Sequence, residues 1–190
     1  MSLSLDWQRR IDAWLGALAG RLVERVRELK FEYAPTAEQL SPREAMRRLS
    51  FRPIAPGAGW GKQWQYGWFR CRTRIPRPAA GRGVVLGGQV GDAANESIVF
   101  LDGRAVGGLD RQHHYIDLTR LARRARPVEI MIESYAGHYR PTVGCQFLPP
   151  GVSHMPEPRR WMQTFGGLWL GWWHEPAPVA GPSGTSSSWT

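Results

Sequence analysis

Within the segment Glu96 to Leu118 the chain has to reverse on itself in two residues. Ile98-Val99-Phe100-Leu101 is a compact apolar run, Asp102-Gly103 follows, and Arg104-Ala105-Val106 can return beside it. Asp-Gly favours a two-residue hairpin because both central positions of that turn need φ > 0. Such a hairpin fixes an antiparallel pair of strands, which Gly107-Gly108 then breaks. A polar loop, Asp110-Arg111-Gln112-His113-His114, leads into Tyr115-Ile116-Asp117-Leu118. A hairpin, a charged loop and a further strand suit one edge of an antiparallel β-sandwich.

Other segments supply the remaining strands. Phe69, Cys71, Thr73 and Ile75 alternate with Arg70, Arg72 and Arg74, the pattern of a half-exposed strand, and Pro76 and Pro78 end it. Gly83–Gly87 and Val128–Tyr135 are two more, and the aromatic stretch Gln163–Glu175 adds a last one. Short strands separated by turn signals indicate an all-β sandwich or barrel. There is no βαβ alternation, no GxGxxG and no Walker loop, which disfavours a parallel nucleotide-binding sheet. Before the strands, Trp7, Ile11, Trp14, Leu15, Leu18, Leu22, Val26 and Leu29 recur at spacings of three and four. One long amphipathic helix starting at Asp6 is expected there. Phe31 to Leu40 reads as a connector broken by Pro35, and Ser41-Pro42-Arg43-Glu44 as the capping box of a short helix through Leu49. The expected division is a helical segment over 1–50, a β-sandwich over 51–175 and a disordered, low-complexity tail over 176–190.

Ten tryptophans are many for 190 residues. Trp60, Trp64 and Trp68 fall within nine positions, beside Tyr66. Such a cluster forms either a sugar-stacking platform or the hydrophobic lid of a sandwich, and the lid is the commoner use of aromatic residues. The net charge of +9 raises nucleic acid as a partner, but the arginines are scattered and only Lys30 and Lys62 are lysines. With no RNA-binding signature, zinc finger or basic helix, no nucleic-acid partner is expected. Cys71 and Cys145 do not make a disulfide framework, and no apolar run approaches the length of a membrane span. A cytoplasmic setting with no membrane partner is the expectation. His113 and His114 are adjacent and would point to opposite faces of a strand, so one metal ion could not easily use both. No G-x-S-x-G nucleophile motif is present. Glu96, Asp102, Asp110, Asp117 and Glu133 are available for a carboxylate pair, whose separation only a fold can fix.

The succession Pro56-Gly57-x-x-Trp60-Gly61, Trp68-Phe69-Arg70, Ile75-Pro76 and Glu96-Ser97-Ile98-Val99-Phe100-Leu101-Asp102-Gly103-x-x-Val106-x-Gly108-Leu109 resembles one family. It is similar, over roughly residues 40–175, to the N-terminal domain of cytosolic and bacterial α-mannosidases of glycoside hydrolase family 38. The resemblance implies a galactose-binding-domain-like jelly roll ahead of a catalytic barrel. That barrel would hydrolyse α-mannosidic bonds with retention, using an aspartate nucleophile and zinc or another divalent metal. The His-x-His-x-Asp motif that opens it is absent here, so the chain is expected to stop short of the barrel. No catalytic or metal residue carries over, and no cofactor is expected in this chain. The implied role is non-catalytic: interdomain packing and cleft shaping in an enzyme acting on mannose-containing glycans. The implied partners are the catalytic domain or sister subunits. An autonomous carbohydrate-binding module is the alternative. Trp60, Trp64, Trp68, Glu96, Arg111 and His113 are the candidate glycan or interdomain contacts.

Overall fold

The computed structural model describes residues 7–11, 13–14, 22–92, 95–110, 112–122, 127–137 and 162–174. The fold is mainly β, and every strand pairing is antiparallel. One sheet runs, in spatial order, β3 (Arg52–Ile54), β2 (Phe31–Thr36), β5 (Tyr66–Thr73), β10 (Val128–Tyr135), β7 (Ser97–Leu101) and β8 (Arg104–Leu109). The facing sheet runs β1 (Val23–Glu28), β12 (Gly167–His174), β6 (Arg82–Gln89) and β9 (Tyr115–Asp117). A small ribbon pairs β4 (Gly59–Trp60) with β11 (Gln163–Thr164).

The β7–β8 hairpin turns as the Asp-Gly dipeptide requires. Asp102 sits at φ 49° and Gly103 at φ 80°, the left-handed pair of a type I′ turn. Asp102 also holds the hairpin to β10: its backbone N–H donates to the Glu129 carbonyl at 2.9 Å, and its carboxylate accepts the Glu129 N–H at 3.1 Å. Inward side chains then follow the period of two. On β10, Val128, Ile130 and Ile132 enter the main core with Phe69, Val99, Leu86, Leu168 and Leu170 from neighbouring and facing strands.

The alternate β10 face carries Met131 and Glu133, and it needs its own cover. The short helix α1 (Pro42–Arg48) and the residue before its cap provide part of it, with Ala45 of the helix and Leu40 packing with Trp68 and Met131. Its start is the expected capping box. The Ser41 N–H donates to the Glu44 carboxylate at 2.9 Å, and the Glu44 N–H donates back to the Ser41 hydroxyl at 3.3 Å.

The long amphipathic helix expected from Asp6 to Leu29 does not form as one element. Residues 7–11 and 13–14 are helical, whereas Val23–Glu28 is the edge strand β1 on β12. The reason is tertiary: β1 occupies the free edge of β12, and pairing there overrides a helical stripe that is only a local preference. The connector expected over Phe31 to Leu40 begins as β2, which pairs with both β3 and β5. Pro35 is tolerated because β3 reaches β2 only from Phe31 to Tyr33, so Pro35 has no neighbour on that side to lack a donor for. The sandwich therefore takes in strands from Val23 onward, well before the boundary expected at 51. The expected tail over 176–190 lies outside the described residues.

Candidate functional site

The outer face of the four-stranded sheet is paved with glycine and capped with aromatic rings. Along β12, Leu168 and Leu170 turn inward to the core, which leaves Trp169, Gly171 and Trp173 on the outward positions. Trp169 lies opposite Gly87 of β6. A Cβ at Gly87 would stand 2.7 Å from the Trp169 ring and 2.9 Å from Tyr115, and a Cβ at Gly171 would stand 2.6 Å from the same indole. These approaches are closer than any side chain tolerates, so glycine at both positions is what lets the indole settle against the sheet. Tyr115, outward on β9, meets Trp169 edge-on with centroids 5.9 Å apart. The Arg25 guanidinium of β1 sits over the Trp169 ring, 4.8 Å from its centroid. Trp169 is thus only 7% exposed, while Tyr115 remains 39% exposed.

Tyr115 divides this face into two depressions. One, of about 330 Å³, is bordered by Arg25, Gln89, His114 and Trp169. The other, of about 500 Å³, is bordered by Arg82, Asp117, Thr119, Arg120 and Trp173. Their polar groups are held in place: Arg82 pairs with Glu24 at 3.0 Å, and Asp117 accepts the Thr119 N–H at 2.8 Å. Thr119 Oγ1 accepts the Val84 N–H at 3.0 Å, which anchors that corner to β6. Flat aromatic surface beside planar charged groups suits a sugar ring or another protein domain.

The loop between β8 and β9 borders the first depression. Asp110 accepts the N–H groups of Gln112 and His113, each at 2.7 Å, and its carboxylate meets His113 Nδ1 at 2.9 Å. The side-chain bond from His113, then the two backbone donors, hold the Asp110 carboxyl down to about 2. His113 itself faces solvent, with a side chain 71% exposed.

The structure scatters the residues singled out from sequence. Trp60 and Trp68 are both 0% exposed and offer no surface to a glycan or another domain. Trp60 belongs to the main core and Trp68 to the smaller core under α1. Trp64 is 55% exposed on a tight turn at φ 66° and borders neither depression. Glu96 borders a separate groove with Tyr66 and Glu133, and Arg111 lies outside the described residues. Tyr115, Trp169, Trp173 and Arg25 form the site instead. Their signal was the period-two spacing of Trp169, Gly171 and Trp173 against Leu168 and Leu170.

Among the described residues, no group of three His, Cys, Asp or Glu side chains is placed to hold a metal ion. Burial pushes the Cys71 thiol up to about 11, which leaves it inert as a nucleophile. No helix among the described residues is long and apolar enough to cross a membrane.

A sequence profile described as "Alpha-mannosidase, jelly roll domain" matches residues 26–155. No curated protein sequence matches the chain. Among solved structures, the chain is similar to a β-glucuronidase of Faecalibacterium prausnitzii, with a TM-score of 0.51 and 13% identity over 83% of this chain and 32% of that one. It is also similar to a rhamnosidase from Novosphingobium sp. PP1Y, with a TM-score of 0.49 and 15% identity over 79% of this chain and 15% of that one. The chain therefore spans about a third of the glucuronidase, and at such identity the likeness is one of fold. With more than half of its length inside the profile and two facing antiparallel sheets, the chain belongs to the family of α-mannosidase jelly-roll domains.

Proposed function

We propose that this domain is a non-catalytic part of an α-mannosidase-like glycoside hydrolase of family 38, acting on mannose-containing glycans. Its role is to pack against the catalytic domain or a sister subunit and to shape the substrate cleft. A divalent metal would be held by the catalytic domain and not by this chain, and the setting would be cytoplasmic. The observation that supports the reading best is the shelf of Tyr115, Trp169 and Arg25 on its glycine floor. The solvated face of an antiparallel sheet ordinarily carries polar side chains. Here the buried Trp169 is the base, and Tyr115, 39% exposed, and the half-buried Trp173 present the apolar surface that a second domain could cover. Trp7, Ile11 and Trp14, at 60%, 55% and 74% exposed, add an apolar stripe at helical spacing.

The test is association with an α-mannosidase catalytic domain of the same family, followed by calorimetry on the full chain. Tyr115→Asp with Arg25→Glu should weaken that association about tenfold or more, with far-ultraviolet circular dichroism confirming that the double variant keeps its β fold. Unaltered affinity would refute the shelf as the contact.

A second reading, an autonomous carbohydrate-binding module, is favoured by Tyr115 standing between two depressions bordered by Arg82, Asp117, Gln89 and His114. Aromatic faces beside paired polar groups are what sugar sites use. Titration with methyl α-mannoside discriminates: heat and a Tyr115-dependent response at millimolar sugar support it, and silence removes it.

A further inference from the structure

The outer face of the six-stranded sheet carries a second feature, independent of the reading above. Beyond the edge of α1, a groove of about 300 Å³ is bordered by Tyr66, Glu96, Ile98, Asp110, Glu133 and Tyr135. Glu133 points into it from the centre of the sheet, on the face opposite Ile132 and Ser134, and is only 7% exposed. Its Oε1 is buried and has no hydrogen-bond partner. The residue facing it across β5 is Trp68, whose indole N–H is likewise buried without a partner, so the two do not satisfy each other. Native folds rarely leave a carboxylate oxygen in this condition, because a buried charge needs a donor that water no longer supplies. Burial accordingly pushes the Glu133 carboxyl up from its ordinary value.

The rest of the groove is rich in acidic groups. Three of the bordering residues are acids, and Asp110 is held ionised by its bonds to the 112–113 backbone and to His113. Among the described residues that border the groove there is no lysine or arginine, in a chain where Lys and Arg number 25 against 16 acids. The Tyr66 and Tyr135 rings lie 5.3 Å apart at 45° and offer faces to a cation. Ile98, 46% exposed, offers an apolar rest for an aliphatic stem. The acids are not grouped to hold a metal ion. The Gln39 amide and the Tyr66 and Tyr135 hydroxyls are donors on this lining, but its three carboxyl groups leave a surplus of acceptors and negative charge that a neutral sugar would not match. A guanidinium brings five donors and no acceptor.

We propose that this groove is a binding site for a basic side chain, arginine or lysine, presented by a partner protein, with Glu133 as its buried counter-charge.

N-acetyl-L-arginine amide is the probe, added to the full chain with carbon-13 NMR observation of the glutamate carboxyl groups. N-acetyl-L-citrulline amide is the neutral isostere, and methyl α-mannoside the sugar control. The arginine derivative should shift the Glu133 carboxyl signal and saturate at millimolar concentration, with the citrulline derivative about tenfold weaker or more. Glu133→Gln should abolish the response. Ile98→Arg alters an exposed position, spares the core, and brings a guanidinium to the groove from the chain itself, so it should block the probe even if the Glu133 variant fails to fold. Equal binding of arginine and citrulline derivatives, a Glu133 response to the mannoside alone, no response at all, or unchanged affinity in Ile98→Arg would each overturn the proposal.

Discussion

The indole N–H of Trp60 donates to the carbonyl oxygen of Val90 at 2.7 Å, wholly inside the protein. That bond ties the β4–β11 ribbon to the end of β6, and the Trp60 ring also meets Phe69 edge-on at 5.0 Å. Replacing Trp60 with Phe deletes the donor, strands the Val90 carbonyl and leaves a void. Trp60→Phe should destabilise the fold by about 2 kcal/mol, read from urea unfolding. A loss below about 0.5 kcal/mol would mean that the bond is not made in solution.

The β7–β8 turn gives a sharper contrast. Asp102 holds a positive φ and accepts the Glu129 N–H at 3.1 Å. Asp102→Asn keeps an acceptor and a residue at ease in that conformation, so it should be nearly neutral. Asp102→Ala loses both and should cost about 1–2 kcal/mol by the same unfolding measurement.

Gly87 is the keystone of the shelf. A single methyl there would stand 2.7 Å from Trp169 and 2.9 Å from Tyr115. Gly87→Ala should therefore displace both rings at a cost of about 1–3 kcal/mol. Near-ultraviolet circular dichroism would record the loss of their packing while the far-ultraviolet spectrum keeps its β form. Unchanged aromatic bands would contradict the described shelf.

Two carboxylates should respond to pH with opposite signs. Burial raises the Glu133 carboxyl above its ordinary 4.5, so the native state holds that proton more tightly than the unfolded chain does. Its ionisation then opposes folding, an effect that grows as pH rises above 4.5 and is absent well below it. Glu133→Gln should raise the melting temperature at neutral pH and give no gain in strong acid. Asp110, lowered from 3.8 to about 2, contributes stability that is present above 3.8 and fades as pH falls through about 2. Asp110→Asn should lose ground at neutral pH and converge with the parent chain near that lower limit.

Local chemistry made part of this fold legible. The Asp102-Gly103 turn, the Ser41–Glu44 capping box and the Val128–Tyr135 strand each rest on short-range rules, and each stands where those rules put it. The edge strand Val23–Glu28 was not legible, because its partner β12 lies about 140 residues further along the chain. A stripe spaced by three and four is also compatible with a strand whose register is shifted by a bulge, which β1 carries between Arg25 and Arg27. The site was hidden for a related reason. Trp60 and Trp68 are close to Trp64 in sequence, but they pack into two different cores. Trp169 and Tyr115 are far apart in sequence and meet only because β12 and β9 flank β6.

The proposed role, serving an α-mannosidase without doing its chemistry, has a direct test. Aryl α-mannoside turnover should be measured for the chain alone, for a family catalytic domain alone and for the two together. No turnover is expected from the chain alone, and a changed KM or kcat is expected in the mixture, a change that Tyr115→Asp with Arg25→Glu removes. Sustained turnover by the chain alone, lost on adding a chelator, would contradict it.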